Sequence, residues 1–170
     1  MNEQFQQKAK VGTAGSFINQ MMSNNNSIPE VGKGATELMY SDRRCYEVIE
    51  VSPDKKTVKL ESLDAVGKGE NLQMGHQSWE LKPTGHYFTV VWKWKAWRRK
   101  VRVVKFTQEF IDKCDSYSYS QALTPELRQQ VYGGDVRPQN VVEGITYETF
   151  EYPKIKLIFG VKDYHYDWSF

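Results

Sequence analysis

Asp163, His165 and Asp167 alternate near the end of the chain, so in a strand two carboxylates and an imidazole would share one face. That trio could hold a metal or carry acid–base chemistry. An oxygen-rich metal site draws on further carboxylates, and neither His76 nor His86 stands at a spacing that completes one. The interleaved Tyr164, Tyr166 and Trp168 support a plainer reading, in which the rings pack and the polar residues face water. We carry that reading forward, with no metal and no cofactor. Gly32-Lys33-Gly34-Ala35-Thr36 has the composition of a phosphate loop but lacks the G-x-x-x-x-G-K-[ST] spacing. It reads as a tight lead-in to a strand. Ser41-Asp42-Arg43-Arg44 lies between two apolar runs. It reads as a solvated turn, in which Asp42 could orient Arg43 or Arg44. No other catalytic motif is present, and we read the chain as a non-enzyme.

The strongest chemical signal is a binding signal. Val91 to Phe106 holds seven cations: Lys93, Lys95, Arg98, Arg99, Lys100, Arg102 and Lys105. It holds no Asp or Glu, and three of the five tryptophans sit in it. The whole chain is only +2; without these seven cations it keeps sixteen basic residues against twenty-one acidic, a balance of −5. The basicity is therefore local. Clustered Lys and Arg neutralise phosphates and release counterions. Tryptophan rings stack on unpaired bases. The competing reading is an amphipathic edge hairpin with buried rings and solvated lysines. Alternation from Phe88 to Trp94 puts Trp92 and Trp94 in the core, a turn falls over Ala96 to Arg99, and Trp97 stands at the tip. The candidate binding residues are Lys93, Lys95, Trp97, Arg98, Arg99, Lys100 and Arg102.

These residues need a scaffold. A chain of 170 residues with 39% hydrophobic and 14% aromatic content can bury a core without staples, and its aromatic share leans toward sheet. Cys45 and Cys114 make neither a disulfide framework nor a zinc site, and read as reduced thiols. No secretory signal and no membrane span is evident, which points to a cytoplasmic protein. Residues 1–28 read as a helical arm with a polar linker, and residues 29–170 as one β-rich domain. Three β-like runs follow Val31, with Val48 and Tyr46 on one face and Ile49 and Val51 on the other. Residues 64–77 read as a loop and Lys82-Pro83-Thr84-Gly85 as a turn. Thr107 and Thr124 are N-cap candidates for two inserted helices, the second with Pro125 at its start and Gly133 at its end. Residues 145–152 and 155–159 read as further strands. The fold class is α+β: a small curved antiparallel sheet or SH3-like partial barrel, an N-terminal helical arm, and one or two inserted helices.

Two stretches carry a resemblance. VGKGATELMYSDRRCYEVIEV, residues 31–51, has a G-x-G-A-T…S-D-R…V-I-E-V pattern, and the close FGVKDYHYDWSF is similar to an F/L-G-x-x-D-x-Y-x-D-x-x-F pattern, with His165 where that pattern has Tyr. Both resemble small uncharacterised proteins encoded by bacterial phages, prophages and plasmids. The resemblance implies an accessory role in a mobile element within a bacterial host, and it brings no catalytic residues with it. Two functions follow as expectations. One is a non-catalytic protein that binds nucleic acid or a host nucleoprotein complex through the basic aromatic hairpin. The other is an inhibitor of a bacterial antiviral defence system, of the anti-CRISPR kind, that binds a host defence protein or a nucleotide signal.

Overall fold

The glycines that open the β-rich region serve backbone geometry. In the computed structural model of the protein, which describes residues 28–68, 77–114, 119–133 and 137–166, Gly32 takes the left-handed φ of +78° and donates its N–H to Val48 O at 2.8 Å. The chain then enters β1 (Gly34–Leu38). Gly160 N–H donates to Gly34 O at 2.8 Å. A Cβ on Gly34 would lie 2.2 Å from Lys162 Cγ and 2.8 Å from the Val161 backbone. A turn and a close chain crossing thus account for Gly32-Lys33-Gly34.

Four longer strands follow: β2 (Arg43–Val51), β3 (Thr57–Gly67), β4 (Trp79–Lys93) and β5 (Ala96–Phe106). Then come α1 (Gln108–Lys113), the single turn α2 (Tyr119–Ala122), α3 (Pro125–Tyr132), β6 (Thr146–Glu151) and β7 (Leu157–Phe159). All pairings are antiparallel, in the order β6-β5-β4-β3-β2-β1-β7, and the ladder is open. The chain is therefore a sheet-rich α+β fold with short helices. The expected arm over residues 1–28 lies, but for Ile28, outside the described residues.

Two bulges correct the strand readings. Between Val48 and Glu50 the β2–β3 register shifts by one residue. The extra residue returns Val51 to the core side with Tyr46 and Val48, where strict alternation put it opposite them. The Lys82–Gly85 stretch is no turn; it lies inside β4. Glu61 pairs with Tyr87 and Leu63 with Pro83, so one residue of β3, Ser62, faces three of β4, Thr84, Gly85 and His86, across the irregularity. Gly85 takes φ +74° there. Its N–H donates to Glu61 Oε1 at 2.9 Å, and the Thr84 hydroxyl donates to Ser62 O at 2.8 Å. Proline and glycine thus bend a long strand where a turn was expected. Residues 64–67, expected in a loop, extend β3, and residues 69–76 lie outside the described residues.

The described residues form two compact units, one of those up to Lys100 together with those from Pro153 onward, the other of those from Val101 to Tyr152. The first unit buries Ala35, Tyr46, Val48, Val58, Leu60, Val90, Trp97, Ile155, Leu157 and Phe159 together. The segment after Pro153 joins the two edges of its meander. Arg99 N–H donates to Pro153 O at 2.9 Å and Ile155 N–H to Trp97 O at 3.1 Å; two residues on, at Leu157, β7 pairs with β1. These isolated bonds curl the sheet around its core without a continuous closing ladder. In the second unit, β6 pairs with the later half of β5, and Phe106 stacks on Phe110 at 5.3 Å. The Thr107 hydroxyl accepts from Phe110 N–H and the Thr124 hydroxyl from Leu127 N–H, both at 3.3 Å, so both expected N-caps form. Gly133 closes α3 at φ +56°.

Candidate functional site

The turn of the β4–β5 hairpin decides where each basic side chain points. Lys93 pairs with Ala96, which leaves a two-residue loop of Trp94 (φ 53°) and Lys95 (φ 57°). Two successive left-handed residues make the type I′ turn whose twist suits a hairpin, a geometry normally given to Asn-Gly. The turn therefore falls two residues before the expected Ala96–Arg99. Trp97, expected at the tip, is only 1% exposed and is the largest fully buried side chain among the described residues. It faces Trp92 with ring centroids 5.5 Å apart and Phe159 at 5.1 Å, both edge to face. Trp94, expected in the core, stands at the tip and is 65% exposed. The physical reason is that β4 ends at Lys93, one residue before the alternating pattern does. The short turn takes Trp94 out of the strand and returns Trp97 to the face of Trp92.

That register sorts the cations by face. Val90 pairs with Arg99 and Trp92 with Trp97, on the core side; Thr89 pairs with Lys100 and Val91 with Arg98, on the outer side. β3 adds Lys59 beside Thr89. Beyond β6, Lys154 bridges to Arg98. The outer face of the first unit thus gathers Lys59, Lys93, Arg98, Lys100 and Lys154, with Lys95 at the tip. Trp92 N–H donates to Lys56 O at 2.7 Å, which puts the Lys55–Lys56 turn at the same end of the sheet. Glu50, paired with Lys59, and Glu61, paired with Tyr87 and with Glu47, are the acidic neighbours on this side.

Two exposed rings complete the surface. Lys93 Nζ lies 4.4 Å and the Arg98 guanidinium 4.7 Å from the centre of the Trp94 ring. Arg98 Nε also donates to Lys93 O at 3.2 Å. These contacts hold Trp94 among cations. Tyr87 is 53% exposed on the same side, with Lys59 Nζ 5.1 Å from its ring centre.

Of the seven residues proposed from sequence, Lys93, Lys95, Arg98 and Lys100 come together here. Arg99 points to the core side, its guanidinium 4.3 Å from the centre of the Phe88 ring. Arg102 lies in the second unit, where Glu148 pairs with it and Gln139 O accepts from it at 3.1 Å. Lys105 is paired with Glu151 at 2.7 Å. Sequence reasoning missed Lys59, Tyr87, Trp94 and Lys154. Lys59 alternates with the apolar Val58 and Leu60, a signal that could have found it. Lys154 reaches the surface through a pairing 56 residues distant in sequence, which no local pattern marks.

The tail carries structure. Asp163 forms an ion pair with the nearly buried Arg43 at 2.7 Å, and its N–H donates to Thr36 Oγ1. Arg43 and His165 exchange both backbone hydrogen bonds. Asp167 lies outside the described residues. Among the described residues no three His, Cys, Asp or Glu side chains converge as metal ligands, and no helix is long and apolar enough to cross a membrane. No family model matches the chain, and no curated protein or solved structure does so either.

Proposed function

We propose that this chain is a non-catalytic binding protein that holds single-stranded nucleic acid on the outer face of the β4–β5 hairpin. One observation carries the reading: six cations and two exposed rings share that face and tip, while the remaining charge of the chain is acidic in balance. Cations spaced along a surface track a phosphate backbone, and exposed rings stack on unpaired bases. A duplex hides its base faces, so Trp94 and Tyr87 favour a single strand. The resemblance of residues 31–51 and of the closing stretch supports an accessory role in a bacterial mobile element. A strand bound within a host nucleoprotein complex would use the same surface. The test is titration of a labelled oligothymidylate by fluorescence anisotropy at several salt concentrations. Each phosphate neutralised on a single strand contributes about −0.7 to the slope of log K against log salt, so six contacts give about −4. The triple variant Lys93→Ala, Arg98→Ala, Lys100→Ala should halve that slope. Binding with a flat salt dependence, or none at low salt, removes the reading.

A further inference from the structure

The core side of the same sheet opens into a groove of about 590 Å³ between β2, β3, β4, β5 and the tail. It belongs wholly to the first unit and lies on the face opposite the cationic surface. Its size falls in the range of pockets that enclose small organic ligands. Two arginines line it, Arg44 and Arg99. Both are exposed, and among the described residues neither has a carboxylate within ion-pair distance. Arg99 rests on Phe88, a contact that uses its charge and leaves its N–H donors available. Tyr46 packs edge to face on Phe88 at 5.0 Å, and its hydroxyl donates to Glu37. Burial first, and then that hydrogen bond, push the Tyr46 phenol well above its ordinary value. It therefore stays neutral between the two arginines. The rest of the lining is different chemistry. Ser62 and Asp64 supply acceptors, while Leu63, Val66 and Phe88 supply apolar surface.

We infer that this groove binds a small phosphate ester of nucleotide type. The phosphate would sit between Arg44 and Arg99, where planar guanidinium forks suit its oxygens. The base would lie against Phe88 and Leu63. Hydroxyl or amino groups would donate to Asp64 and Ser62. A simple anion site would not need Asp64, and a purely apolar site would not tolerate two charged arginines. The combination requires one ligand with an anionic end and a donor-bearing planar end. The inference stands apart from the hairpin reading, since it uses the other face and none of the outer cations.

The experiment is calorimetric titration of the full chain with adenosine 5′-monophosphate, and in parallel with adenosine and with inorganic phosphate. The nucleotide should bind, and each fragment should bind tenfold or more weakly. Arg44→Gln and Arg99→Gln should each weaken the nucleotide at least tenfold, and Asp64→Asn should narrow the gap between nucleotide and phosphate. Arg44→Lys, which keeps charge and loses the fork, should fall in between. It also serves as the gentler substitution if the glutamine variants lose their cooperative melting. A 5′-phosphorylated oligonucleotide that displaces the nucleotide, where its 5′-hydroxyl counterpart does not, would identify a strand end as the natural source of the ligand. Failure of displacement would leave the free nucleotide. Absence of binding at about 10 mM nucleotide, beyond the range of even weak specific sites, would overturn the inference. So would an affinity unchanged from the parent in both arginine variants, or a loss as large in Lys100→Ala on the opposite face.

Discussion

Lys95→Gly should make the protein more stable and its nucleic-acid binding weaker. Lys95 holds φ 57° at the second position of the hairpin turn. The left-handed region costs a residue with a Cβ about 1–2 kcal/mol. Glycine removes that cost and adds back about 0.5–1 kcal/mol through the extra freedom of its unfolded chain. The Lys95 side chain is exposed and, among the described residues, makes no hydrogen bond or ion pair, so nothing else is lost. The net gain is about 0.5–1 kcal/mol. For a chain of this length, 1 kcal/mol moves Tm by about 2–4 °C, so Tm should rise by about 1–4 °C in a calorimetric melt. The same variant deletes one cation at the tip, and its salt slope on oligothymidylate should shrink by about 0.7. A lower Tm would refute the turn geometry. A higher Tm with an unchanged slope would show that the tip takes no part in binding. A turn sequence that sacrifices stability to display Trp-Lys fits the general finding that strained backbone gathers at functional sites.

Three further outcomes follow from the same structure. The buried and the exposed tryptophan of the hairpin should separate cleanly: Trp97→Ala should cost about 3–5 kcal/mol in denaturant unfolding, while Trp94→Ala should leave the midpoint nearly unchanged and weaken single-strand binding by about 1–3 kcal/mol in anisotropy titrations. Gly34→Ala drives a Cβ into the Val161 backbone, which cannot swing away as the Lys162 side chain can; it should cost about 1–3 kcal/mol and speed hydrogen exchange over residues 160–166. Burial pushes the Cys45 thiol up from 9.0 to about 11; because the folded value is the higher one, its contribution to stability is complete below pH 9 and is lost as pH rises through 11, so Tm should fall over that window less steeply in Cys45→Ala than in the parent.

The hairpin shows what a sequence can and cannot carry. The local charge excess located the cationic surface, and period-two alternation found β2 to β5 and put Trp92 on the core side. The turn chemistry was invisible, because Trp-Lys is not a recognised type I′ pair, and one wrong turn exchanged the roles of Trp94 and Trp97. Pro83 and Gly85 misled for a related reason: the residues that break a strand into a hairpin also bulge a continuous one. The helix caps at Thr107 and Thr124 were legible because capping is a local hydrogen bond between residues three apart. Arg99 was picked out as a cation, yet its place in a groove with Arg44 depends on pairing β4 with β5 and β2 with β3. Lys154 joined the outer face through contacts that arise only when the segment after Pro153 crosses back to β5. Long-range pairing leaves no periodic trace in a single chain.

The claim that the outer hairpin face is a single-strand binding surface is tested most directly by the salt dependence of oligothymidylate binding in the parent and in the Lys93→Ala, Arg98→Ala, Lys100→Ala variant. The account predicts a parent slope near −4 that falls by about 2 in the variant, with Tm preserved within a few degrees. Equal slopes in the two proteins would contradict it.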